Sequence, residues 1–159
     1  MGKAADALVR FQKRLGEEEG VSDWFEVDQE RVNAFADATL DHQFIHIDPE
    51  KSAKLSPYEV TIAHGYLTLS LLPHLGSKIP PLDPEAYQGV TMGINYGLDK
   101  VHFPEPVKVG KRIRARRTLA GAELKGNMIQ LKQIVTIEIE GEEKPGCVAE
   151  SLSRLVYSD

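Results

Sequence analysis

The stretch TIAHGYLTLSLLPHLG, residues 61–76, decides the fold. Ile62, Ala63, Tyr66, Leu67, Leu69, Leu71, Leu72 and Leu75 leave it almost no polar face, and a helix that is apolar all round is a buried helix. Pro73 falls inside it. A proline brings no backbone donor and crowds the turn before it, so distortion is predicted in the last turn.

What could enclose such a helix lies C-terminal to it, where the apolar period changes from helical to two. Ile129, Leu131, Val135, Ile137 and Ile139 alternate with polar residues, interrupted by Gln133. Gly141-Glu142-Glu143-Lys144 reads as a turn into a last strand from about Cys147 to Tyr157, and segments 89–103 and 111–120 fit the same scheme. One long buried helix followed by four strand-like segments on short connections predicts an α+β layer, a helix wrapped by an antiparallel sheet.

On the N-terminal side, Leu8, Phe11 and Leu15 recur at helical spacing up to Gly16. This predicts a short amphipathic helix lying on the outside and ending in an acidic turn, so residues 1–20 read as a helical extension of one domain spanning 1–159. After the apolar piece Trp24-Phe25-Glu26-Val27, Asp28 is placed to cap a second helix whose buried side would be Val32, Phe35, Ala36 and Leu40. That helix delivers the chain to Asp41.

Composition removes several classes of function. A length of 159 residues with 42% hydrophobic content suits one globular domain with a real core. A formal charge of −5 and the lack of a basic run interleaved with aromatics argue against nucleic acid as a partner. Cys147 is the one cysteine and has no partner for an internal disulfide, and residues 1–20 carry acids and bases in place of a signal-peptide core, so the expected compartment is the cytoplasm. No apolar run approaches the ~18 residues needed to cross a bilayer, so no membrane partner is expected.

Residues 41–46, DHQFIH, carry the densest chemistry. A metal site, an acid/base pair and an ordinary loop with a capping Asp compete there. His42 and His46 have the spacing of a zinc helix, but Gln43 stands where that motif needs an ionisable base, and no Cys or third His follows at ligand spacing. No metal is expected. Asp41 and His46 would diverge on a helix but can converge from an irregular loop, which the flanking Ile47-Asp48-Pro49 predicts. Further on, His64-Gly65 opens the buried helix, whose first N–H groups have no internal partner. A carboxylate, an imidazole and such donors are the parts needed to add water to a double bond beside a carbonyl.

The run ATLDHQFIHIDPEKSAKLSPYEVTIAHGYLTLSLLPHL, residues 38–75, resembles the MaoC-like dehydratases, the family of (R)-specific enoyl-CoA hydratases, and most of all their NodN-like branch. In that family an Asp and a His five residues apart form the catalytic dyad, followed by a Pro-containing segment and an Ile-Ala-His-Gly or Val-His-Gly opening of the central helix. These fall on Asp41, His46, Pro49 and Ile62 to Gly65. The stretch INYGLDKVHFPEPVKVGKRIRAR, residues 94–116, is similar to the family's strand pair around its His-Phe-Pro-x-Pro-Val turn. The chain departs from the pattern at Leu40, where a Gly is common and allows backbone angles that Leu resists, and at Gln43, often Asn.

The resemblance implies a hotdog fold in which the helix from Gly65 is the sausage. It implies a hydratase that adds water reversibly to a trans-2-enoyl-CoA to give the (R)-3-hydroxyacyl-CoA, with Asp41 and His46 activating the water and the Gly65 N–H holding the thioester oxygen. His64 would orient the loop or fill the core, Gln43 would hold the dyad or stand in solvent, and Ser70 would face the acyl tunnel or bond a backbone carbonyl. No cofactor is implied beyond the coenzyme A of the substrate, and the family's edge-to-edge pairing implies a homodimer. A silent acyl-CoA-binding hotdog module and a hotdog thioesterase are the rival readings. The arginines Arg112, Arg114 and Arg116 share one strand face, either solvated or available to the phosphates of the carrier.

Overall fold

The computed structural model describes residues 2–158; Met1 and Asp159, the two ends of the expected domain, lie outside the described residues. In chain order the elements are α1 (Lys3–Gln12), β1 (Glu18–Val21), β2 (Phe25–Glu26), α2 (Gln29–Thr39), α3 (Phe44–Ile47), α4 (Pro49–Leu55), α5 (Gly65–Ser70), α6 (Leu72–Gly76), β3 (Val90–His102), β4 (Arg112–Lys125), β5 (Met128–Ile139) and β6 (Cys147–Tyr157). The strands form one antiparallel sheet in the order β1-β4-β5-β6-β3, with β2 also on β4. The period-two segments of the sequence are its four long strands. β1 and β2 come from the part read as an acidic turn and an apolar piece: Glu18 to Val21 pairs with Arg116 to Thr118, so the short charged strand is held by its partner and not by its own propensity.

Ile129, Leu131, Val135, Ile137 and Ile139 occupy one face of β5 and are all buried. Against the half of that face formed with Ile113, Ala115, Cys147 and Ala149 lie Leu67, Leu71 and Leu75 of the central helix. This is the helix-on-sheet layer that the residues predict. The helix itself is broken. α5 ends at Ser70, Leu71 is a turn residue (φ −80°, ψ −8°), and helical bonding resumes with the Leu75 N–H on the Leu71 carbonyl at 2.9 Å. The interruption falls ahead of the last turn, two residues before Pro73, because a proline constrains the residues that precede it. Nor is the helix covered on all sides: Tyr66 is 70% exposed and meets the edge of the Phe103 ring.

The N-terminal helix does not stay outside. Ala4, Ala7 and Phe11 of α1 are buried on the other half of the same sheet face, against Leu119, Ile129, Leu131 and Leu155, and make a second core. Short side chains at positions 4 and 7 let the helix axis approach the strands closely. Asp28 caps α2 as expected, its carboxylate accepting from the Arg31 N–H at 2.8 Å, with Val32 and Ala36 fully buried and Phe35 packed on the core. Leu40 departs from that expectation and is 80% exposed.

The arginine face of β4 is a ladder of ion pairs. Arg112 pairs with Glu140, Arg114 and Arg116 share Glu138, and Arg116 also reaches Glu18. Arg112 and Arg114 lie over the Trp24 ring as well. Each cation is matched by a carboxylate on, or directly following, a neighbouring strand, so the face is a cross-strand lattice and not an open anion patch. Among the described residues, no helix is long and apolar enough to cross a membrane.

Candidate active site

Local backbone geometry separates Asp41 from His46. At the end of α2, Leu40 takes the left-handed conformation (φ 65°, ψ 21°), the usual way to stop a helix and one a Gly would enter at less cost. The chain then runs without regular structure until α3 starts at Phe44. Asp41 is therefore off the helix that carries His46, and the two side chains face one point although they are five residues apart. The expected irregular loop is in part the single turn α3, followed by α4, which Asp48 caps through the Lys51 N–H at 3.0 Å.

The second half of the site comes from the entry to α5. Ile62 accepts a hydrogen bond from the His46 ring, Nδ1 to carbonyl oxygen, at 2.7 Å. A carbonyl only accepts, so Nδ1 carries the proton and, in the neutral ring, Nε2 carries the lone pair. The Ile62 N–H in turn donates to the Ile45 carbonyl at 2.9 Å. His64 Nε2 donates to the Asp41 carbonyl at 3.0 Å, which ties the start of the central helix to the dyad segment. The rings of His46 and His64 stack, and Phe35 leans on His64 with centroids 4.9 Å apart. One candidate ligand atom from each of Asp41, His46 and His64 lies within 4.8 Å of the others.

His46 and His64 are 7% and 4% exposed. Burial pushes the His46 pKa below its ordinary value of 6.5; the Ile62 hydrogen bond and the charge of Asp41 work against that shift, and His64 adds to it. The ring is thus held neutral at pH 7, as a base must be. The His64 Nδ1 is buried without a hydrogen-bond partner among the described residues. These atoms are close enough together to be tested as a cation site. However, imidazole lone pairs lie in the ring plane, so two stacked rings direct them side by side and not onto one ion.

Gly65 is the first residue of α5, so its N–H has no partner inside the helix, and the ring of Phe103 lies 3.1 Å from where a β-carbon would stand. Ser70 lines a cavity of about 630 Å³ beneath the helix, and its hydroxyl donates to the Tyr66 carbonyl at 2.6 Å, the backbone bond that was one of its two expected roles. Gln43 is not brought into the cluster: its side chain is exposed, and only its backbone N–H approaches Asp41, at 3.4 Å. His42 turns outward to Asp37 at 2.9 Å, which removes it from any shared site with His46.

Three contributors escaped the sequence reading. Gln29 donates to the His46 carbonyl at 2.7 Å and accepts from the Thr61 hydroxyl at 2.6 Å, clasping both halves of the site. Phe35 supports His64, and Phe103 covers Gly65. Only Phe103 had a signal, in the His-Phe-Pro stretch; the others act across distances that no local pattern encodes.

The sequence profile described as "MaoC like domain" matches residues 10–141. The chain is 51% identical over 152 residues to 3-hydroxyacyl-thioester dehydratase Z of Mycobacterium tuberculosis, covering 95% of this chain and 97% of the relative. It is 46% identical to Nodulation protein N of Rhizobium leguminosarum bv. viciae, over 90% of this chain and 87% of that one. Among solved structures it superposes on the (R)-hydratase from A. caviae involved in PHA biosynthesis with a TM-score of 0.66 at 22% identity, covering 87% of this chain and 94% of that one. The helix wrapped by an antiparallel sheet is accordingly a hotdog fold, and the chain belongs to the MaoC-like hydratase/dehydratase family, with NodN among its relatives.

Proposed function

We propose that this protein interconverts a trans-2-enoyl thioester and the (R)-3-hydroxyacyl thioester by adding or removing water, with coenzyme A as the carrier and no other cofactor. The observation that carries this reading is the convergence of the Asp41 carboxylate and the neutral, buried His46 ring across the irregular stretch between the Leu40 turn and α3. In hydration, His46 Nε2 takes a proton from water while Asp41 orients the molecule. The water oxygen bonds to C3, the electron pair of the double bond moves toward the thioester oxygen, and a proton is returned to C2. The Gly65 N–H is the donor for that oxygen as charge develops. His64, fixed on the Asp41 carbonyl, positions the loop; dehydration runs the same steps backwards.

The test is incubation with crotonyl-CoA, following the loss of the conjugated enoyl absorbance and then assaying free thiol. Loss without free thiol is the expected result. Free thiol would make the protein a thioesterase, and tight binding without turnover a silent acyl-CoA module.

The assembly proposed is a homodimer in the cytoplasm. β3 is an edge strand of 13 residues whose outer ladder is unpaired among the described residues. Met92, Ile94, Tyr96 and Leu98 expose an apolar stripe along it. Such an edge invites a second strand, and antiparallel pairing with its own copy is isologous.

A further inference from the structure

The inner face of the sheet is not apolar from end to end. Between the core under α5 and α6 and the core under α1, a polar belt crosses it: Glu19 on β1, Arg117 on β4, Gln133 on β5, Ser151 and Ser153 on β6. Gln133, which interrupts the apolar alternation of its strand, lies opposite Ser151, and Ser153 lies opposite Asn95 of β3. The cavity of about 630 Å³ opens over this belt, with Leu69 and Leu72 on its helical wall and Arg117, Gln133, Ser151 and Ser153 on its floor. Its size is that of a ligand pocket. It begins at Leu69, about one helical turn or ~6 Å from Gly65, where the tail of a thioester held at the Gly65 N–H would run.

The hydrogen bonds of the belt are incomplete. The Glu19 carboxylate pairs with Arg117 Nε and accepts from the Gln133 amide nitrogen at 3.0 and 2.8 Å. Arg117 Nη1 donates to the Gly76 carbonyl at 3.4 Å. This clasp neutralises Arg117, yet Arg117 Nη2, the Gln133 amide oxygen and the hydroxyls of Ser151 and Ser153 have no hydrogen-bond partner among the described residues. A clasp that only anchored β1 would need neither serine, and these half-buried groups, which open into the cavity where solvent meets them, would be left unmatched beneath a purely apolar occupant.

We propose that the belt reads the far end of the acyl tail, and that the cavity takes a medium-length acyl thioester bearing a hydroxyl group near its distal end. A hydroxyl both accepts from Arg117 and donates to the Gln133 oxygen. A plain alkyl tail would cover these groups without bonding them. A carboxylate would face an arginine already matched by Glu19. The inference rests on the thioester reading above.

The test keeps the two apart. Crotonyl-CoA has a tail too short to pass Leu69, so its turnover by the wild-type protein reports on the reaction alone; no turnover overturns the hydratase reading and this inference with it. The kcat/KM values are then compared for a straight-chain medium-length trans-2-enoyl-CoA and its ω-hydroxy counterpart of equal length. The expected result is about a tenfold preference for the hydroxylated tail, abolished or reversed in Gln133→Leu. Equal values in the wild type, or an undiminished preference in folded Gln133→Leu, would overturn the inference while crotonyl-CoA turnover stands. If Gln133→Leu does not unfold cooperatively, Ser153→Val, which leaves the bonds to Glu19 intact, reads the same ratio with the same two outcomes.

Discussion

The imidazole rings of His46 and His64 stack with centroids 3.8 Å apart and planes inclined by 23°. Two buried rings at this distance cannot both be charged without strong repulsion, and each is fixed by a different carbonyl, that of Ile62 for His46 and that of Asp41 for His64. The stack therefore holds the loop and the helix entry in one register and keeps the candidate base neutral.

The pH dependence follows from burial. Because the folded His46 pKa lies below its ordinary 6.5, hydration should persist below pH 6.5 and fall only when the ring takes a proton. The unfolded chain binds that proton first, so the stability contributed by the neutral ring is full above about pH 6.5 and is lost as the pH falls through the depressed folded value. Urea midpoints across this window should drop with acid in the wild type and drop less in His46→Gln. A rate that already halves above pH 6.5 would contradict the neutral-base role.

Leu40 occupies a position whose backbone suits glycine. A left-handed non-glycine residue costs roughly 1–2 kcal/mol, part of which a glycine returns through unfolded-state entropy. Leu40→Gly should stabilise the protein by about 1 kcal/mol, which raises Tm by ~2–4 °C for a domain of this size, with turnover unchanged because the loop already has the conformation a glycine would adopt. Thermal unfolding of the variant checks it; a lower Tm would mean that the exposed Leu40 side chain packs on something, such as a partner subunit.

Gly65→Val should remain folded, since the ring of Phe103 is partly exposed and free to give way, and a β-branched residue at a helix start costs under ~1 kcal/mol. The added carbons would occupy the side from which the thioester oxygen approaches the N–H. Turnover should fall by about 10²-fold or more. Circular dichroism with a hydration assay separates fold from rate, and unchanged turnover would remove Gly65 from the mechanism.

Sedimentation should find a dimer at micromolar protein. Ile94→Asp places a charge in the apolar stripe of β3, and two copies meet across an isologous contact, so this variant should sediment as a monomer. A wild-type monomer would leave the β3 edge without its expected partner.

The parts of this fold that were legible in the sequence are those whose patterns are local. β6 begins and ends where alternation and the Gly141 turn place it, and the apolar run from Gly65 is the central helix. β1 was not legible, because Glu18 to Gly20 forms a strand only through Arg116 and Arg117, about a hundred residues away. The side of the sheet taken by α1 was equally hidden, since a stripe of Ala4, Ala7 and Phe11 says that something is covered but not what covers it. At the site, spacing and resemblance single out Asp41, His46 and His64. Gln29, which braces them, and the outward turn of Gln43 depend on contacts between segments that no single stretch records.

The central claim is that Asp41 and His46 act on one water as a unit, and the kinetics of Asp41→Asn, His46→Gln and the double variant test it most directly. Each single change keeps polarity and removes the carboxylate charge or the proton carrier. Positioned acid/base catalysis contributes roughly 10²–10⁴-fold, or about 3–5 kcal/mol of barrier. Each single variant should lose such a factor in kcat with KM little altered, and the double variant should lose scarcely more, because groups serving one step fail together. Losses that multiply, or near-normal hydration in either single variant combined with abolition by a chelator, would contradict the shared acid/base pair and make the cluster with His64 a metal site.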